Sequence, residues 1–453
     1  MSRFGSLDDP PATLLLSEIR IVDPASASDW VGDLAIRDGQ LVEPGNLPAG
    51  AERIDGRGLV AAPGLCDLHV HLREPGMERA ETIASGSRAA ARGGFTTICA
   101  MPNTDPPLDG PDLVAQVEGR AAACRVRVVA AATRGRDGEQ LTDVAQLATR
   151  GVVGFSDDGL AVSSEPLVRS LLEQLTVLGL PLIEHAEDAT LAGAAVMRAG
   201  PIATRLGLAG WPPAAELSIV ERDIALAEET GGRVHFTHLS TAAALDAIRR
   251  AQGRGAPVTC DVTPHHLALT DAWVAGDRHF SWEEPGALTV DPLLAYDGAC
   301  RVNPPLSSRD DALALLAGVA DETVDAIATD HAPHPRERKS VEFGAAAPGM
   351  IGLETALSLG LAAVAAGCLS LTRLVEAMST GPATLIGEAR SLQPGAAVDL
   401  VVFDPAARWT VDAQELASAS SNTPLLGMEL PGVVRLTVAE GRITYRSGLD
   451  AIG

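Results

Sequence analysis

Asp67-Leu-His69-Val-His71 is the segment of this 453-residue chain whose side-chain types and spacing speak most directly of chemistry. On an extended strand residues i and i+2 share a face, so both imidazoles point one way and can chelate a cation. Further donors stand at the ends of other β-rich runs: Asp157-Asp158, His185, His238 and Asp330. Imidazole nitrogen and carboxylate oxygen suit Zn2+, with Mn2+ or Co2+ as substitutes. A metal held by such a set polarises a carbonyl and lowers the pKa of bound water from 15.7 to roughly 7.

Donors so far apart in sequence need a scaffold that gathers strand ends. Eight β-rich runs supply one, at 64–72, 95–101, 126–132, 152–156, 180–184, 233–238, 257–262 and 325–329. Helix-like stretches lie between several of them, at 78–92, 111–123, 165–178, 214–229 and 241–252. Most of the runs are apolar on both faces, as parallel strands covered by helices should be. The expectation is an α/β fold, a closed (β/α)8 barrel with its donors at the C-terminal mouth. Residues 12–62 and 395–447 read differently, as short strands between Asp/Gly turns. They are expected to meet as one small β-sandwich built from both chain ends, giving parts 1–62, 63–385 and 386–453. Between 269 and 303 no element is evident, yet Trp273, Phe280, Trp282 and Tyr296 fall there. That segment is a lid, a contact surface, or a loop packed on its own barrel.

Composition narrows the partners. Lys+Arg 35 against Asp+Glu 59 gives a net charge of −24, which argues against nucleic-acid binding through a basic face. An anionic small molecule would have to be attracted locally. The six cysteines are scattered, with no CxxC pair, so reduced cytoplasmic thiols are expected rather than a disulfide scaffold. No secretory signal is read at the N-terminus, and the apolar stretch between Glu354 and Arg373 is read as a buried helix rather than a membrane span.

The motifs His69-Val-His71-Leu-Arg73-Glu-Pro-Gly76, Met101-Pro-Asn103-Thr, Phe155-Ser-Asp-Asp158-Gly, Thr263-Pro-His-His266, Val302-Asn303-Pro-Pro305 and Ala328-Thr-Asp330-His-Ala-Pro-His334 extend over most of the chain. In these the sequence resembles the dihydroorotase family of the amidohydrolase superfamily, in its long bacterial form. The resemblance implies a barrel with a β-sandwich. It also implies reversible cyclisation of N-carbamoyl-L-aspartate to L-dihydroorotate, a step of pyrimidine synthesis. Carried over residue by residue, the metal ligands would be His69, His71, Asp158, His185, His238 and Asp330, holding one or two zinc ions. Many relatives bridge two metals with a carboxylated lysine at the end of the fourth strand. Here that place is Asp157-Asp158, and the only lysine, Lys339, lies beyond the eighth strand. Asp158 is the expected bridge and Asp157 its structural neighbour.

Asp330 would act as general base and then acid. Arg73 follows His71 by two and is expected to fork onto the substrate's carboxylate. By resemblance Asn103 and His334 share that carboxylate, Asn303 contacts the ring, and Pro348-Gly349 offers backbone contacts where several members carry Phe-Gly. His265, His266 and His331 are read as supports, His235 as a core histidine and His279 as a loop residue. The expected assembly is a homo-oligomer, a dimer, with aspartate transcarbamoylase as a conceivable partner. Two other functions fit less well: an allantoinase or hydantoinase, and a silent barrel that only scaffolds that transcarbamoylase.

Overall fold

A computed structural model describes residues 3–284, 290–395 and 398–449. Eight parallel strands form its central sheet: β1 (Leu65–Val70), β2 (Phe95–Ala100), β3 (Arg125–Ala131), β4 (Gly154–Ser156), β5 (Leu182–Glu184), β6 (Val234–Phe236), β7 (Val258–Val262) and β8 (Ala326–Ile327). They pair in chain order from β1 to β8. The seam between β8 and β1 is held just past the strand ends, where Val70 bridges His331 and the His71 amide donates to the His331 carbonyl at 2.9 Å. All eight expected strands are present; β3 is shifted one residue toward the N-terminus and the other seven are shorter than expected. β1 and β2 are buried at every position, because helices cover one face and the barrel interior the other.

The helices follow their capping signals. Glu165–Leu178 stops at Gly179, whose φ of 68° is the left-handed cap that glycine favours. The first helix begins at Ile83 rather than residue 78. Thr82 and Ser85 form its capping box, and the buried Glu81 carboxylate accepts from Ser85 and from distant partners instead of entering the helix. The apolar stretch after Glu354 is two helices, Ala356–Ala365 and Leu371–Val375, broken at Gly367 (φ 78°). Among the described residues no helix is long and apolar enough to cross a membrane.

Both chain ends meet in one nine-stranded mixed sheet. Its order is Arg3–Phe4, Arg442–Arg446, Glu429–Ala439, Leu400–Thr410, Val60–Pro63, Leu14–Asp23, Ser28–Arg37 and Gln40–Val42, with Glu52–Asp55 paired beside Leu14–Asp23. Along Leu14–Asp23 the register shifts between Leu16 and Ile19, with Glu18 at φ 54°. One inserted residue flips the side-chain parity, so Leu14, Leu16, Ile19 and Ile21 all enter the same core with Ile36, Leu400 and Leu436.

The aromatic segment packs largely on its own protein. Trp273 is fully buried and stacks on Phe280 at 6.0 Å, while Tyr296 donates its hydroxyl to the Leu206 carbonyl and stays partly exposed. Residues 285–289 of the 269–303 segment lie outside the described residues.

Candidate metal centre

The mouth of the barrel gathers the donors. β1 carries a register shift between Asp67 and Val70. Leu68 joins the apolar floor with Cys66, Cys99, Val153 and Ile183, while His69 and His71 face the mouth. Asp67 braces this turn: it accepts from the His69 amide at 3.1 Å, the Thr329 amide at 2.9 Å and the Thr329 hydroxyl at 2.5 Å. One buried carboxylate thus ties the first strand to the residue preceding Asp330.

His69 Nε2 and His71 Nε2 stand 3.3 Å apart, and Asp330 Oδ1 lies 3.0 Å from His71 and 3.5 Å from His69. On the other side His185 Nδ1 and His238 Nε2 are 2.9 Å apart. Asp158 lies between the two pairs. Its Oδ1 is 3.3 Å from His69 and 3.6 Å from both His185 and His238, and its Oδ2 is 3.6 Å from His71. The six residues expected as ligands are therefore brought together, all buried.

The opposite ring nitrogens show which lone pairs are free. His69 Nδ1 donates to Thr237 Oγ1 at 2.7 Å, and that hydroxyl donates onward to Asp261 at 3.1 Å. His71 Nδ1 donates to Asn103 Oδ1 at 2.8 Å, and His185 Nε2 to Glu187 Oε2 at 3.0 Å. These partners can hold the outward proton of each ring, leaving the inward nitrogen to a metal once the ring is neutral. Asp158 Oδ1 is buried without a hydrogen bond. Imidazole nitrogens and a carboxylate oxygen converging this closely are what a divalent cation satisfies, so the donor set fits the metal.

The electrostatics agree. Burial opposes charge on His69 and His185, yet Asp158 and the neighbouring carboxylates hold them up to about 9 and about 10. Burial also opposes charge on Asp158 and Asp330, but the imidazoles hold both below the carboxylate range. The site attracts positive charge, and a bound cation would replace those protons. Backbone geometry is unusual at the same place: Arg73, His238 and Asp330 have φ of 61°, 41° and 46°. Such conformations cost on the order of 1–3 kcal/mol each and persist where surroundings impose them. For His238 one restraint is its amide, which donates to Asp261 at 2.6 Å.

Beside the cluster the Arg73 guanidinium donates from Nε to the Pro333 carbonyl at 3.1 Å and lies 3.4 Å from His334 Nε2. His334 in turn donates to the Pro348 carbonyl at 2.8 Å. Gly349 (φ 131°) follows; a Cβ there would meet Ala332 Cβ at 2.6 Å, so the turn excludes any side chain. Asn103 is drawn to the donors: its amide nitrogen donates to Asp158 Oδ2 at 3.2 Å while its oxygen holds His71. Asn303 donates to Glu187 at 2.7 Å, on the His185 side.

Other polar residues settle into support. Asp157 turns away and accepts from the Ala132 and Thr133 amides. His235 bonds Thr259 and Asp261, and His266 bonds Thr263 and the Pro304 carbonyl. Lys339 donates to the carbonyls of Arg301, Ala347 and Gly349 at 2.7–3.0 Å, so the one lysine is engaged away from the donors. Glu187, Thr237 and Asp261 were not singled out from sequence, and Asp67 was given no role there. Glu187 carried a signal, standing two residues after His185; the others look like ordinary strand residues.

Barrel and donor set together define a metal-dependent amidohydrolase. Comparison with known proteins narrows this. A Dihydro-orotase-like family model matches residues 58–244. The chain is 48% identical over 436 residues to the dihydroorotase of Anaeromyxobacter sp. strain K, covering 95% of this chain and 97% of that one. It is 43% identical over 440 residues to that of Pelobacter propionicus, covering 96% and 99%. The chain belongs to the dihydroorotase family. Among solved structures, the L-hydantoinase (dihydropyrimidinase) from Arthrobacter aurescens superposes with a TM-score of 0.82 at 24% identity, covering 98% of each chain, and shares the fold.

Proposed function

We propose that the protein interconverts N-carbamoyl-L-aspartate and L-dihydroorotate, using zinc held by His69, His71, Asp158, His185, His238 and Asp330. The observation that carries this is the Asp158 carboxylate lying between two imidazole pairs, with Arg73 and His334 paired beside them. When bound, the metal supplies Lewis acidity to the carbonyl and a water of lowered pKa. Mn2+ or Co2+ would serve in its place.

The chain's own groups move the proton. In ring opening, water adds to the ring carbonyl carbon and the carboxylate of Asp330 takes its proton. As the carbon–nitrogen bond breaks, Asp330 returns that proton to the departing ring nitrogen. Cyclisation runs the same steps backwards: the terminal carbamoyl nitrogen loses its proton to Asp330 as it closes on the side-chain carboxyl carbon, and water leaves. The low proton affinity of Asp330 keeps it in the base form near neutrality. Arg73 would fork onto the α-carboxylate, with His334 and Asn103 beside it, and Asn303 with the backbone of Pro348 and Gly349 would bound the ring.

A hydantoinase-type centre bridged by a modified lysine does not suit this chain, because Lys339 is bound to three carbonyls elsewhere. In the reading preferred here, residues 63–385 carry the reaction, while 1–62 and 386–453 form the accessory sheet. The six cysteines are free thiols, which supports a reducing, cytoplasmic setting. A homodimer and a complex with aspartate transcarbamoylase complete the proposal; sedimentation unchanged on mixing the two proteins would remove the complex. The deciding experiment is metal analysis of the purified protein together with hydrolysis of L-dihydroorotate. One or two zinc equivalents with turnover are expected. Metal-free active protein, or a metalloprotein inert toward L-dihydroorotate, would overturn the assignment.

A further inference from the structure

Between Leu400–Thr410 and Glu429–Ala439 the chain leaves the accessory sheet and runs to the barrel mouth. There Ala417 and Ser418 amides donate to Glu354, and Ser418 Oγ and the Ala419 amide donate to Glu81. Asn422 follows, 7% exposed. Its side-chain oxygen accepts from the His334 amide at 3.0 Å, and its side-chain nitrogen donates to the carbonyls of Ala332 at 3.0 Å and Gly349 at 3.1 Å. Its own carbonyl accepts from Ile351 at 3.1 Å. One amide therefore staples the two limbs of the loop after β8, one bearing His334 and the other Gly349. Lys339 grips the Gly349 limb from a second direction.

None of the six donor residues hydrogen-bonds to Asn422. Arg73, by contrast, is tied through Pro333 to the limb that Asn422 holds. We propose that Asn422, delivered by the C-terminal segment, is a positioning residue for the substrate's carboxylate. It sets His334, the Pro333 carbonyl that aims Arg73, and the Gly349 turn at fixed spacing. The inference rests on the dihydroorotase reading, since it presumes that the carboxylate binds beside Arg73. Removing the amide leaves the buried His334 N–H and Ala332 carbonyl without these partners, and the limbs drift.

Asn422→Ala tests this with L-dihydroorotate as substrate and metal content and thermal unfolding measured alongside. The expected result is a KM raised tenfold or more, kcat within about threefold of wild type, and unchanged metal stoichiometry. Asn422→Asp keeps the acceptor for His334, loses both donors and sets a negative charge beside the carboxylate; its KM should rise further. Lys339→Met removes bonds to the Arg301, Ala347 and Gly349 carbonyls but leaves the His334 limb held by Asn422, and should raise KM less. Should Asn422→Ala not fold, the other two variants decide alone. Unchanged KM, or a raised KM accompanied by loss of both kcat and metal content, overturns the inference. An active wild type with indifferent variants removes this inference only, whereas a wild type inert toward L-dihydroorotate removes the functional reading and this inference with it.

Discussion

The two ends of the barrel are built from the same eight strands and differ in almost every other respect. At the mouth, four imidazoles and two carboxylates crowd within a few ångströms, and three non-glycine residues hold left-handed backbone. At the floor, Cys66, Leu68, Cys99, Val153, Ile183 and Ala326 form an apolar cluster with Leu385 and Ile386, and Leu68, Cys99, Val153, Ile183, Leu385 and Ile386 line a cavity of about 290 Å3. The floor is mostly apolar, with His235 and Thr259 as polar members of the cavity wall. The mouth holds groups that repel a low-dielectric surrounding unless something charged joins them. The apolar cluster and the proposed chemistry thus sit at opposite ends of the same strands, linked through Asp261, which bonds His235 near the floor and Thr237 below His69.

That separation is open to attack. Asp330→Asn should lower kcat by about 10²–10⁴ while the protein still folds, measured by steady-state hydrolysis and circular dichroism. An Asn variant as fast as wild type would strip Asp330 of its role. At the floor, Ile183→Ala should cost about 2–5 kcal/mol in denaturant unfolding and leave kcat of the folded protein within about threefold. A large loss of kcat there would mean the two ends are not separable. Thr237→Val, on the link, should weaken metal affinity about 10–100-fold in chelator competition, with kcat recovered at saturating metal. The mildest test is pH. Burial and the charge of Arg73 push His334 down to about 3, so it stays neutral and its protonation cannot follow pH from 5 to 8. KM for L-dihydroorotate should be flat over that range; a KM falling toward acid with a midpoint of 6–7 would show His334 gaining a proton.

The mouth was more legible in sequence than its supports. His69, His71, Asp158, His185, His238 and Asp330 announced themselves because rare donor types sit at the ends of recognisable strands. Helix Glu165–Leu178 was legible for a similar reason, its periodicity ending on a glycine. The start of the first helix was not, because Glu81 has its partners at His331 and Ser418, hundreds of residues away. Nor did periodicity show that the stretch after Glu354 breaks at Gly367, since alanine- and leucine-rich sequence reads as continuous helix. Asn422 left no mark, as an asparagine in a serine-rich stretch looks like any turn. Long-range hydrogen bonds impose no local pattern, so residues that aim others are hidden where residues that bind are not.

Asn422 also has a consequence for the order of synthesis. A nascent chain halted before residue 417 already contains every donor of the metal cluster, yet lacks the amide that fastens the loop after β8 and the strands Glu429–Ala439 and Arg442–Arg446, the latter pairing with Arg3–Phe4. Every donor of the candidate cluster therefore precedes, in order of synthesis, the segment that fastens the loop beside it.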